Sequence, residues 1–83
     1  MVDKQMVPLI LARLGYYADR HGGEFTQAVL HDCLKDTLRL TPMETGAAMY
    51  EYEPYLREQA GYIEYGPAGD YILTEEGKRD AIK

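Results

Sequence analysis

The last third of the chain sets the fold class. Residues 61–79, "GYIEYGPAGDYILTEEGKR", hold two short runs rich in β-branched and aromatic side chains, 62–65 and 70–73, on either side of a turn containing Gly66, Pro67 and Gly69. Such runs bounded by glycine and proline read as paired strands. Thr74 then caps a short helix with Glu75 and Glu76 in its first turn, where the helix dipole favours acids. Most of the chain before Gly61 has helical periodicity, and helices followed by a strand pair make an α+β chain.

Three helices are expected upstream. The first begins between Asp3, which can cap, and Pro8, which only a first turn tolerates. Ile10, Leu14 and Tyr17, with Met6 or Val7 before them, recur at helical spacing. Gly22 and Gly23 end that helix, Glu24 and Phe25 read as a two-residue strand fragment, and Thr26 is a good N-cap. The second helix is expected from Gln27 to about Arg39, with Val29, Leu30, Cys33, Leu34, Thr37 and Leu38 on one face and Asp32, Lys35 and Asp36 opposite.

The third helix has the best-defined start. Thr41 caps it, Pro42 takes the first helical position, and Glu44 can reach back to close a capping box. Thr45, Met49, Tyr52, Leu56 and Ala60 form a stripe that runs through Pro54. A proline there clashes with the Tyr50 carbonyl and removes a backbone bond, at about 3 kcal/mol. A kink or register break is therefore expected between Tyr50 and Pro54, with helix resuming to Gln59 and Gly61 as a left-handed stop.

The 83 residues are expected to form a single domain, 1–83. A chain this short buries only roughly 60% of its unfolded surface, which favours help from a protein partner or from a second copy in a homodimer. With 46% hydrophobic and 28% charged residues it is not a disordered segment. One cysteine, Cys33, excludes an internal disulfide and fits a reducing compartment. The N-terminal apolar run is too short for a membrane span and is interrupted by Arg13, and no small-residue cleavage site follows it. A cytoplasmic protein without a membrane partner is expected. The net charge of −5 opposes long-range attraction to polyanions but leaves room for a local basic face.

Taken in order, helix, short strand, helix, turn, helix, two-stranded ribbon and closing helix resemble the winged-helix (winged helix-turn-helix) family of regulator domains. The residues that carry the likeness are "REQAGYIEY" and "DYILTEEGKR", between Arg57 and Arg79. A fainter likeness, on "PLILARLGYYAD" and "YLREQAGYIE", is to the N-terminal winged-helix domain of restriction endonucleases that act on methylated DNA. The resemblance implies an α+β winged helix: a three-helix core, a two-stranded β wing and a short C-terminal helix. It also implies a third helix in the major groove of double-stranded DNA with the wing beside it. Carried onto this chain, the contact candidates are Thr45 and Tyr50 near the groove, with Arg39, Arg57, Lys78 and Arg79 on phosphates. Two features depart from that pattern. No lysine or arginine lies between Arg39 and Arg57, and the wing tip "GPAGD" has an acid and no base.

Two functional classes are therefore weighed. The one expected, on the strength of the family resemblance, is a DNA-binding transcription regulator domain with its third helix at the major groove and the wing in support. The alternative is a winged-helix protein-interaction or homodimerisation module, in which Tyr50, Tyr55 and Tyr65 form an exposed patch rimmed by Glu51, Glu53 and Glu58, since tyrosine is enriched at protein interfaces. The plainer expectation for the other tyrosines is that Tyr52, Tyr62 and Tyr71 pack the wing onto the third helix. The plainer expectation for the basic residues is ordinary surface pairing, such as Glu75 with Arg79 four residues on. Nothing points to an enzyme. His31 and Cys33, two apart on a helix, face different ways and make a poor metal pair. There is no phosphate-binding loop or dinucleotide turn, so no cofactor or metal is expected.

Overall fold

The computed structural model describes residues 1–82, in which helices α1 (Val7–Arg20), α2 (Gln27–Leu38) and α3 (Pro42–Pro54) precede a π-helical segment, Tyr55–Gln59. Strands β1 (Ile63–Tyr65) and β2 (Tyr71–Leu73) and helix α4 (Glu75–Asp80) complete the chain. The layout is α+β and consistent with a winged helix. β1 and β2 pair antiparallel, with Ile63 opposite Leu73 and Tyr65 opposite Tyr71. The fragment expected at Glu24 and Phe25 is a single bridge, in which Phe25 and Tyr71 exchange backbone hydrogen bonds of 2.9 and 2.8 Å.

Each helix start has a local cause. Pro8 lies in the first turn of α1, where its missing N–H has no partner to lose. Asp3 organises the turn before α1 rather than the helix itself, its carboxylate accepting from the Gln5 N–H at 3.1 Å. The Thr26 hydroxyl accepts from the Val29 N–H, and the Thr41–Glu44 capping box is closed in both directions. The Thr41 N–H, bonded to Glu44, holds that carboxyl below the usual range.

Two helix ends differ from expectation. Arg39 lies outside α2 as its C-cap, in the left-handed region at φ 56°, and the N–H groups of Arg39 and Leu40 both donate to the Lys35 carbonyl. The helix stops there because a six-residue closing bond replaces the regular one. Pro54, for its part, does not break the helix between Tyr50 and Pro54. Regular α-helix continues to Pro54, and the register widens one turn later, where Ala60 N–H donates to the Tyr55 carbonyl five residues back at 2.8 Å. The bond that Pro54 cannot make is the one to the Tyr50 carbonyl four residues back, and the π turn follows it, starting at the Tyr55 carbonyl. Gly61, at φ 67°, ends the segment as expected.

One core joins the elements. Ile10, Leu11 and Leu14 of α1, Leu30 and Leu34 of α2, Leu56, Ile63 and Phe25 are all fully buried. The tyrosines divide differently from expectation. Tyr71 ties the wing to α3 through its hydroxyl on Glu53. Tyr52 is buried and its oxygen accepts from the Asp3 N–H, while Tyr62 donates to Asp80 of α4. Among the described residues no helix is long and apolar enough to cross a membrane.

Candidate functional site

Helix α3 is apolar on both sides. Thr45 and Tyr52 are buried against the core, and Ala48 and Met49 pack partly against it. On the opposite side Met43 is 88% exposed, Ala47 is exposed and Tyr50 is 86% exposed. These follow at four- and three-residue steps, so they line one outward stripe. Glu44 and Glu51 are the charged side chains beside it, and both are exposed.

The proposed nucleic-acid contacts are not brought together. Thr45 is a correction: it is 0% exposed, and its hydroxyl donates to the Thr41 carbonyl at 2.7 Å, so it cannot reach a phosphate or a base. Its place on the buried stripe decides its role, and the hydroxyl is satisfied one turn back along the helix. Arg57 is held by Glu53 through Nε at 2.7 Å and Nη2 at 3.2 Å, a two-pronged pairing that raises its pKa further. Its guanidinium also lies 5.0 Å from the Tyr65 ring. Lys78 lines a separate cleft with Tyr16 and Asp19 of α1. Lys78 pairs with Glu75 at 3.9 Å, and Arg79 lies 3.7 Å from Asp80, so the expected Glu75–Arg79 pair is replaced by neighbours closer in sequence. Arg39 is exposed at the C-terminal end of α2.

The tyrosine patch is half as expected. Tyr50 and the 58% exposed Tyr65 line one groove, between the start of α2, the middle of α3 and the wing. Tyr55 is not part of it. It packs on the core in a different cleft, with Lys4 5.8 Å from its ring and Pro8, Tyr62 and Asp80 around it. Regular helix geometry is the physical reason: at about 3.6 residues per turn the five-residue step from Tyr50 places Tyr55 about 140° around the axis, and Tyr55 still follows the α-helical path, its N–H donating to the Glu51 carbonyl.

The groove has a volume of about 820 Å³. Its floor includes Gly46, where an added Cβ would meet nothing within 4 Å, and Met49. One wall is formed by Tyr65 and Tyr71, stacked at 5.2 Å between ring centres, and the buried Phe25 backs Tyr71 from the core at 5.6 Å. The other wall is Gln27, Ala28, His31 and Asp32 of α2. At the junction, Glu53 accepts from both Tyr71 (2.8 Å) and Arg57, and these bonds hold its carboxyl below the usual range with Arg57 as the leading cause, against the opposing effect of burial. The same contact, with burial the larger cause, pushes the Tyr71 phenol up. Sequence reasoning missed Gly46, His31 and Asp32 as lining of this groove, and Met43 and Ala47 as the exposed stripe leading to Tyr50, of which Ala47 lines a separate cleft with Glu44 and Glu51. The signal was present: a helix with apolar or small side chains on both sides has one face left over after the core is filled.

No protein-family model, curated protein or solved structure matches this chain. Among the described residues no group of three histidine, cysteine or acidic side chains is placed to hold a metal ion.

Proposed function

We propose that this chain is a winged-helix-type protein-interaction module that docks a protein segment in the groove between α2, α3 and the wing. The observation that carries the reading is the outward face of α3. Where a DNA reader needs cations it presents Met43, Ala47 and Tyr50 flanked by Glu44 and Glu51. Apolar and aromatic side chains flanked by acids suit a protein surface rather than a phosphate backbone, and Tyr50 joins that face to the groove, whose lining includes Asp32 and Glu53. The chain's net charge of −5 weighs in the same direction and disfavours a homodimer through this face, which would oppose acids to acids. The role is non-catalytic and the site of action cytoplasmic.

A second reading, a regulator domain on double-stranded DNA, has the winged-helix-like element order in its favour, together with the exposed Arg39, Lys78 and Arg79. The test is selection from a displayed random-peptide library on the immobilised protein. Enriched peptides whose binding is lost in Tyr50→Ala and kept in Tyr16→Ala, a variant outside the groove, support docking. Failure to enrich any peptide, or enrichment indifferent to Tyr50→Ala, would remove the reading.

A further inference from the structure

Cations and tyrosine rings meet repeatedly in this fold. The Arg20 guanidinium lies 3.7 Å from the Tyr16 ring, that of Arg57 5.0 Å from Tyr65, and the Lys4 ammonium 5.8 Å from Tyr55. All three are within the distance at which a positive group is attracted to an aromatic face. Among the described residues Tyr50 has no such cation, although it is the most exposed tyrosine of the groove. Its neighbours along the groove carry surplus negative charge. The ionisable lining residues besides the tyrosines are His31, Asp32 and Glu53. Glu53 is matched by Arg57, but the Asp32 carboxylate is largely exposed, with only the His31 ring 3.6 Å away.

We infer that the groove recognises a positively charged side chain, an arginine or lysine of the docked segment, seated on the Tyr50 ring with Asp32 as its counter-charge. This rests on the docking reading above and names the chemistry of its ligand. The aromatic wall supplies an apolar surface for the stem of such a side chain, and the tyrosine faces and Asp32 receive its charged end. Gly46 leaves open space at the groove floor, where a larger residue would stand. Arg57 already lies over the Tyr65 ring from within the chain, which leaves the Tyr50 ring, contributed to the groove by α3, as the exposed aromatic face without a cation among the described residues. An arginine is the better fit of the two, because its planar guanidinium stacks on an aromatic face and bonds a carboxylate in the same pose.

The experiment is a ¹H–¹⁵N NMR titration of the whole chain with three small probes: Nα-acetyl-arginine amide, its neutral isostere Nα-acetyl-citrulline amide, and Nα-acetyl-leucine amide. The expected result is localised shift changes at Gly46, Met49, Tyr50 and Asp32 with the arginine probe, at an affinity about tenfold above that of citrulline. Tyr50→Ala and Asp32→Asn should each remove the difference, while Tyr50→Phe, which keeps the ring, should retain it. Equal groove shifts from all three probes, or from leucine alone, would overturn the charge recognition and leave a docking groove. No groove shift from any probe would overturn it as well. If duplex DNA then shifted Tyr50 and the wing, the docking reading would fall with it.

Discussion

The Tyr71 hydroxyl donates to Glu53 Oε2 at 2.8 Å, across the joint between the second wing strand and the last turn of α3. Glu53 in turn holds Arg57, so one carboxylate fixes the wing, the π turn and the groove wall relative to each other. A groove that recognises a ligand needs its walls held in place before the ligand arrives.

Removing that joint should be measurable. Tyr71→Phe keeps the stacked ring and deletes one hydrogen bond to a charged group, at an expected cost of about 1.5 kcal/mol in urea unfolding. The Glu53 carboxyl is depressed in the folded state, so its contribution is present above the ordinary glutamate pKa of about 4.3 and is lost as pH falls through the folded value. Stability measured from neutral to acidic pH should therefore decline in that window, and the decline should be shallower in Glu53→Gln. An identical acid limb in the two proteins would mean that Glu53 is not a linked group.

Gly77 is the least replaceable glycine. A Cβ built there would lie 2.2 Å from the Tyr62 carbonyl oxygen, a backbone atom that also accepts the Thr74 N–H. Gly77→Ala should force α4 away from the start of the wing and cost about 3 kcal/mol, read as a lowered denaturation midpoint. A wild-type midpoint would show that α4 is free to move.

Arg39 offers the opposite sign. It is the one non-glycine residue at positive φ among those described. Arg39→Gly relieves that backbone cost and should stabilise the fold by up to about 1 kcal/mol. Thermal unfolding of the pair decides it, and a loss of stability would mean that the arginine side chain makes a contact worth more than the strain.

Cys33 should be inert. Burial pushes its thiol up to about 11, and its Sγ lies 3.5 Å from the Ile10 carbonyl oxygen. The thiolate is the reactive form, so a disulfide reagent at neutral pH should label the native protein at the rate of its opening and the urea-unfolded protein at once. Fast native labelling would place Cys33 at the surface.

The parts of the fold that follow from local chemistry were legible in the sequence. Thr41 with Glu44, Thr26, Gly61 and the strand pair around Gly66 and Gly69 each carry their cause within four or five residues. What escaped depends on phase and on distant partners. Thr45 stood both on the apolar stripe of α3 and among the contact candidates; only the stripe was right, because the 3.6-residue period sends it inward. Tyr55 was grouped with Tyr50 because both stand off the core stripe, but the five-residue step turns Tyr55 about 140° away from Tyr50, and it packs partly against the core. The Glu53–Tyr71 bond joins residues 18 apart and has no local signature. The groove itself needed the folded chain, since α2 and the wing supply its walls and α3 its floor.

The measurement that bears most directly on the proposed role is fluorescence anisotropy of a labelled mixed-sequence DNA duplex, titrated with the protein at low and at physiological salt. With Thr45 buried, Arg57 tied to Glu53 and the outward face of α3 apolar and acidic, no saturable binding is expected at either salt. A saturable curve that weakens steeply with salt and is further weakened by Arg39→Ala or Lys78→Ala would contradict the docking role. Its slope would then count the phosphate contacts, and α3 and the wing would be assigned to duplex DNA.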